Sequence, residues 1–391
     1  MDNSYLEELI REANIRDGGL ILSQNDQPAA VVMTVHKYNE LLQKSSSHQN
    51  RAMQSIQAED FHSNNNKTIL VTGGAGYIGS HAVRELLKTG YGVVIVDNLS
   101  TGKRNNVPEG VKFYEGDIAD TNFLRDIFAS HKIYAVMHFA ASIEVEESVA
   151  YPEKYLENNM LNTARLLSVM NEAAVKRIIF SSTAAVYGNQ DVMPISEYAK
   201  VQPNNPYGYS KLLAERTIKY YCHFSGFQAV VFRYFNACGC DFDGSIIATH
   251  TSHLFSRIME VAGGIRPFIA INGTDYNTVD GTCVRDYVHV LDIANAHVLA
   301  LEKIDTTENY RIYNIGTGKG SSVLEVIQAV SESINRIIPM EQGPRRPGDA
   351  FATVADNSKI REDLGFELKY SDLETIAKTS WIQMQHAKQI I

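Results

Sequence analysis

The chain has 391 residues, 44% of them hydrophobic and 21% charged, which is enough apolar content for sizeable cores and length enough for two or three domains. Its formal net charge of −9 argues against a general nucleic-acid surface, so any anionic ligand has to be held by a local cluster of arginines. No apolar run approaches the ~18 residues of a membrane span, and "MDNSYLEELIREAN" lacks the basic start and apolar run of a secretory signal.

Residues 1–44 read as a small separate module. "LEELIREA" is a short amphipathic helix pattern, and "GLILSQNDQPAAVVMTVHKYNELLQK" reads strand, turn, strand, helix, with turn residues Asn25, Asp26 and Pro28. Residues 45–66 are polar, rich in Ser, Asn and Gln and without periodicity, which is the composition of a linker.

From residue 67 strand-like and helix-like pieces alternate. "TILV" at 68–71 is a strand candidate. It is followed by glycines and then by a helix in which Ile78, Ala82, Val83, Leu86 and Leu87 recur at helical spacing, with Gly90 as its stop. "YGVVIVD", "AVMHFAA", "KRIIFSS" and "AVVFRYFN" follow as further apolar runs. Continuous apolar strands alternating with helices predict an α/β fold, a doubly wound parallel sheet of Rossmann type over 67–245. Beyond 245 the alternation becomes irregular, which predicts a smaller mixed α/β lobe over 246–391, partly interleaved with the first.

"TGGAGYIG" at 72–79 holds Gly73-x-x-Gly76-x-x-Gly79 and the overlapping Gly74-x-Gly76-x-x-Gly79 between a strand and a helix. Missing side chains there let the backbone approach a pyrophosphate at the helix N-terminus, although a tight turn alone would also use glycines. Asp97 ends the next strand, eighteen residues after Gly79. A carboxylate at that point accepts from both hydroxyls of an adenosine ribose and repels a 2′-phosphate, which favours NAD over NADP, with Lys103 and Arg104 close by as a counter-indication.

A dinucleotide domain implies hydride transfer, which needs a base for a hydroxyl proton. "PYGYSK" places Tyr207 and Lys211 one helical turn apart, where the ammonium can favour the phenolate; a packed ring beside a solvated charge is the plainer alternative. "FSST" ends a strand with Ser181, Ser182 and Thr183, any of whose hydroxyls could bond the substrate oxygen. Four cysteines, with Cys238 and Cys240 in a C-x-C pair lacking a partner pair at zinc spacing, point to free thiols in a reducing cytoplasm and to no metal.

Together these segments resemble the extended short-chain dehydrogenase/reductase superfamily and, over about residues 67–385, its UDP-glucose 4-epimerase family. The segments that carry the likeness are "TGGAGYIGSH", "VDNLSTG", "EGDIAD", "HFAA", "SSTAAVYG", "PYGYSK", "RYFNACG", "DGTCVRDYVHV" and "YNIGTG". The resemblance implies NAD held through the cycle, a UDP-sugar substrate, a homodimer, and Thr183, Tyr207 and Lys211 as the catalytic set. It further implies cofactor contacts from Gly73, Gly76, Tyr77, Ile78, Gly79, Asp97, Asn98, Asp117, Ile118, Phe139, Ala140, Asn158 and Phe235. On the substrate side it implies Asn236, His253, Arg285, Tyr287, Arg346, Asp349 and Thr353, with Arg285 and Arg346 clamping the diphosphate. Read from the residues alone, Arg285 could be paired only with Asp286, and Arg346 could be a solvated loop charge.

Ile143 stands where some relatives carry a cofactor-touching lysine, and Glu146 replaces a glycine in the same loop. Thr353 stands where some relatives place a tyrosine, which suggests room for an N-acetylated sugar. Ala184 and Ala185 replace the Asp-Glu pair of sugar-nucleotide dehydratases, which disfavours water elimination. Epimerases of UDP-glucuronate or UDP-pentoses and a non-catalytic sensor stay open as alternatives. The N-terminal module resembles the core of Phd/YefM antitoxins. Residues 1–66 carry nine acids and five Lys/Arg, a poor footprint for DNA, so oligomerisation or protein contact is the expected role.

Overall fold

The structure is a computed structural model that describes residues 20–24, 27–32, 67–247, 253–306, 308–345 and 350–390. The chain falls into two units, Met1–Asn65 and Asn66–Ile391. In the first unit, β1 (Leu20–Gln24) and β2 (Gln27–Val32) pair antiparallel, Leu20 opposite Val32, as the strand–turn–strand pattern predicts. The two helices expected beside them, and residues 45–66, lie outside the described residues.

The second unit is built on a seven-stranded sheet. Its strands are β3 (Thr68–Thr72), β4 (Gly92–Asp97), β5 (Lys112–Glu115), β6 (Ile133–His138), β7 (Arg177–Thr183), β8 (Gln228–Tyr234) and β13 (Tyr310–Ile315). All neighbours are parallel, in the order β13-β8-β7-β6-β3-β4-β5. The order reverses between β3 and β6, and that switch point opens a crevice at the carboxyl ends of the strands.

The central strands are apolar on both faces because helices cover both. Ile69, Val71, Ile95 and Met137 pack on one side with Val83 and Leu86 of α1 (Tyr77–Lys88) and Ile293 and Ala296 of α7 (Val290–Glu302). Leu70, Val94, Val136 and Phe180 pack on the other with α2 (Thr121–Ser130), α4 (Asn162–Glu172) and α5 (Pro206–Ser225). Each such fully buried aliphatic side chain stabilises the fold by roughly 1.5–3 kcal/mol relative to exposure. Gly90 stands one past the C-cap Thr89 with a φ of 81°, a left-handed conformation that glycine adopts without strain.

The remaining elements form a smaller lobe over the strand ends. Short strands β9 (Asn236–Cys238) and β12 (Tyr287–His289) pair parallel, as do β10 (Ile269–Asn272) and β15 (Met340–Gly343). Strand β11 (Val284–Arg285) lies between β14 (Ser321–Ser322) and β16 (Ala352–Thr353). Helices α6 (Leu254–Ala262), α8 (Val323–Ile334) and α10 (Leu373–Ile390) share a core with Ile269 and Ile271. Two elements from this half of the chain, β13 and α7, belong to the main sheet and its cover. Among the described residues no helix is long and apolar enough to cross a membrane.

Candidate active site

A single cleft of about 1560 Å³ opens at the switch point, larger than the ~300–1,000 Å³ of an ordinary small-molecule site. Every candidate site residue within the described residues lines it; Arg346 and Asp349 lie outside the described residues.

The dinucleotide end begins where β3 turns into α1. Gly73 has a φ of 73°, and a Cβ there would meet the Ala140 backbone nitrogen at 2.6 Å. A Cβ on Gly79 would meet the Gly73 carbonyl oxygen at 2.2 Å, so the helix rests directly on the loop. A Cβ on Gly76 would meet only that same carbonyl, at 3.2 Å, so its outer side stays open. The open loop at a helix N-terminus has the shape that suits a pyrophosphate, with Tyr77 and Ile78 beginning the helix behind it. The Tyr77 phenol donates to the Gly239 carbonyl and so ties the loop to the substrate lobe.

Asp97 caps the end of β4. Its carboxylate accepts from the amides of Ala75 at 3.0 Å and Leu99 at 2.9 Å, while burial raises its pKa above the ordinary value. Arg104 lies over the Phe113 ring at 4.1 Å and does not line the cleft, which weakens the counter-indication from its charge; Lys103 does line it. Beyond Asp97, Asn98 donates to Asp117 at 2.8 Å, and Ile118 is buried beside them. On the other wall Ala140 donates to the Thr72 carbonyl, and the Phe139 ring packs 4.8 Å from His297. These residues fit NAD.

The reactive centre stands between β7 and α5. Asn205 caps α5 by accepting from the Gly208 amide at 2.8 Å, Pro206 takes the first position, and Tyr207 follows. A Cβ on Gly208 would meet the Ala185 carbonyl at 2.7 Å, so the helix start is pressed against the Ala184–Val186 turn. The Thr183 hydroxyl lies beside the Tyr207 phenol, close enough to pull its pKa down. Of the three hydroxyls in "FSST", that of Ser182 donates to buried Glu215, which is held by Arg233, so Ser182 is committed to the core.

The protein alone does not lower the Tyr207 pKa, contrary to what the Tyr–Lys spacing predicts. Burial raises it to about 12, and the Thr183 hydroxyl beside it only partly opposes this. Lys211 is buried, donates to the Ser181 carbonyl at 2.8 Å and lies over the Phe180 ring; its own pKa is lowered by desolvation to about 7. Burial thus disfavours the charged form of the one cation that the spacing set beside Tyr207.

Sequence reasoning missed the scaffold behind the tyrosine. A π-type turn, Leu156–Leu161, interrupts the helical run between Pro152–Tyr155 and α4, and such turns recur at functional sites. It presents Asn158 to the cleft, where it donates to the Ser142 hydroxyl at 3.0 Å. Asn159 accepts from the Ser142 amide and donates to the Ser142 carbonyl and the Ser210 hydroxyl, all within 2.9 Å. The Tyr155 ring meets the Tyr207 ring edge-on, with centroids 6.3 Å apart. Tyr155 and Asn159 are one turn apart in sequence, and that spacing is the signal that was there to be read.

Below them His138 accepts from Thr72 at 2.7 Å and donates to Thr163 at 2.9 Å, and Thr163 donates to the Asn159 carbonyl. Because the Thr163 hydroxyl proton is spent on Asn159, His138 carries its proton on Nε2. Burial lowers its pKa to about 3 and keeps it neutral.

At the substrate end Asn236 donates to the Asp286 carbonyl, Phe235 is buried, and His253 begins α6. The Phe255 ring packs against Tyr287 at 5.4 Å. The Asp286 carboxylate accepts from Thr317, Gly318 and Ala355, while Arg285 lines the cleft and donates to the Val284 carbonyl. Thr353 follows Ala352 in β16 opposite Arg285. Ile143, Ala184 and Ala185 line the cleft, and Glu146 sits exposed in the first turn of α3 (Val145–Ala150).

His81, Cys240 and Asp241 bring donor atoms within 4.8 Å of one another, but hydrogen bonds use them. The Asp241 amide donates to His81 Nε2, His81 Nδ1 donates to the Tyr77 carbonyl, and Arg84 holds the Asp241 carboxylate. The cluster is a latch between α1 and the loop after β9.

Residues 69–316 match the NAD dependent epimerase/dehydratase family. The chain belongs to that family. A UDP-glucose 4-epimerase from Lacticaseibacillus casei is 45% identical over 80% of this chain and 96% of its own length. One from Halalkalibacterium halodurans is 46% identical over 80% and 94%. Among solved structures, a UDP-glucose-4-epimerase from Stenotrophomonas maltophila with bound NAD and formylated UDP-arabinopyranose superposes with a TM-score of 0.81 at 38% identity, covering 83% of this chain and all of its own. That neighbour holds a cofactor and a sugar nucleotide together.

Proposed function

We propose that this chain interconverts the 4-epimers of a UDP-hexose, with NAD as resident cofactor and a 4-keto sugar formed on the way. The observation that carries the reading is that Thr183, Tyr207 and Lys211 line one cleft with the glycine loop at one end and Arg285 at the other. When bound, NAD accepts the hydride leaving C4 and returns it to the opposite face, so no net oxidation occurs.

Tyr207 takes the proton of the 4-hydroxyl and gives it back to the same oxygen when the carbonyl is reduced. Thr183 holds that oxygen. Burial keeps Tyr207 a phenol in the protein alone, so its base form depends on positive charge arriving at the site. Lys211 anchors α5 to the end of β7 and contributes charge in its protonated form. Arg285 and Arg346 clamp the diphosphate and Asp349 takes the uridine ribose, so binding energy is realised far from C4 and the sugar is free to turn over.

Residues 67–245 are read as the NAD-binding domain and 246–391 as the substrate lobe. A homodimer fits the outer surface. Tyr209, Tyr220 and Phe224 are exposed along α5, and Val149, Tyr151 and Leu156 are exposed on the helical segments packed against it. The four thiols are buried and free, in keeping with a reducing cytoplasm. For residues 1–44 an oligomerisation or protein-contact role is the reading we keep. Sedimentation of the full chain and of a chain starting at residue 66 separates the two contributions to assembly.

The decisive assay is proton NMR of UDP-galactose and UDP-N-acetylgalactosamine, mixed in one tube with the protein and excess NAD. Conversion of either to its gluco form supports epimerisation. A folded, NAD-bound protein that converts neither ends the UDP-hexose reading in favour of UDP-glucuronate, UDP-pentoses or a sensor.

A further inference from the structure

Arg257 stands in the first turn of α6, one turn beyond His253, and lines the cleft together with Ala270, Asn272 and Arg285. Its Nε is shielded from solvent, and no acceptor among the described residues reaches it. Arg233 and Arg311 each keep one shielded, unbonded nitrogen as well, but both are anchored through their other nitrogens. Arg233 is held by Glu215, and Arg311 by the carbonyls of Lys303 and Ile304. Among the described residues Arg257 has no such anchor. The acid one turn further along α6, Glu260, is engaged by Arg266.

A guanidinium that lacks both a counter-charge and an acceptor, yet has a desolvated nitrogen, is costly unless a ligand completes it. The planar donor fork matches phosphate oxygens in a bidentate way, and its permanent charge gains most from an anion. We propose that Arg257 is a further substrate-gripping residue, a guanidinium added to those of Arg285 and Arg346 on the diphosphate of the nucleotide sugar. This rests on the UDP-sugar reading above. It adds a contact that neither the glycine loop nor the Tyr207 centre announces.

The test is calorimetric titration of the NAD-loaded full chain with UDP, UMP and uridine, for the native protein and for Arg257→Gln and Arg257→Lys, together with KM and kcat for the UDP-sugar. Arg257→Gln should weaken UDP roughly tenfold or more while leaving uridine unchanged. KM should rise with kcat nearly constant, and Arg257→Lys should recover part of the loss. Bound NAD content checks that each variant folds. Unchanged UDP affinity in both variants overturns the proposal and leaves the epimerase reading intact. Equal loss for UDP and uridine assigns Arg257 to the base and overturns the diphosphate assignment. If the native protein binds UDP, and less so on substitution, yet epimerises nothing, the proposal stands and the reading of activity falls. If the native protein binds no UDP, both fall.

Discussion

The Lys211 ammonium donates a 2.8 Å hydrogen bond to the carbonyl of Ser181, two residues before Thr183 on the same strand, with both residues buried. That one bond fixes the helix that carries Tyr207 to the strand that carries Thr183. It also shields the charge, and desolvation lowers the lysine pKa to about 7.

The stability consequence has a definite sign. A lysine whose folded pKa is about 7, against ~10.4 when unfolded, binds fewer protons in the native state between those values. Native stability therefore rises with pH across that window, and the burial penalty is full below about 7. Lys211→Met removes the titrating group. Its melting temperature relative to the native protein should improve as pH falls from 10 towards 7, while epimerisation is lost. A pH-independent difference would show that Lys211 titrates normally.

Tyr207→Phe should abolish turnover by about 10²–10⁴-fold, the span of general acid–base contributions, with NAD and UDP affinities kept. Thr183→Val should lower kcat less, since the tyrosine remains. Single-turnover reduction of bound NAD by UDP-galactose separates the chemical step from binding.

Gly79→Ala should be far worse than its size suggests. The added methyl would stand 2.2 Å from the Gly73 carbonyl, so the loop or α1 has to shift. We expect ~1–3 kcal/mol lost in urea denaturation and little NAD retained after gel filtration. Native-like NAD retention would mean that the loop yields easily.

Asn159→Ala leaves the part-buried amide and carbonyl of Ser142 without their partner. The cost should be ~0.5–1.5 kcal/mol for each bond lost, read as a lower urea midpoint. Activity should fall as well, because the same side chain holds Ser210, whose hydroxyl donates to the Tyr207 carbonyl.

Thr353→Tyr should narrow the sugar end. Turnover of UDP-N-acetylgalactosamine should drop at least tenfold more than that of UDP-galactose, a ratio measurable in one competitive assay. Equal losses would place the N-acetyl group elsewhere.

The sequence was most informative where geometry forces residue type. The glycines of "TGGAGYIG" are required by close backbone approaches, and the aspartate ending β4 accepts from the loop amides beside it, so these positions could be read one at a time. What stayed hidden depends on contacts distant in sequence. The Asn159 bridge to Ser142 and Ser210, the Thr72–His138–Thr163 chain and the Glu215–Arg233 pair are made of common residues that mean nothing until the fold brings them together. The burial that raises the Tyr207 pKa stayed hidden for a related reason: spacing along a helix reveals a neighbour's charge but not how deeply both groups are buried. Residues 1–44 show the opposite limit, where only the paired strands lie within the described residues.

Strand β13 is drawn from the far half of the chain, yet it forms an edge of the main sheet beside β8, and α7 from the same half roofs the glycine-loop helix. The two functional halves are thus not a clamshell with a free hinge, because they are stitched through one sheet. A chain cut near residue 245 would lose a border strand and part of its roof, and it should precipitate instead of surviving as a cofactor-binding fragment.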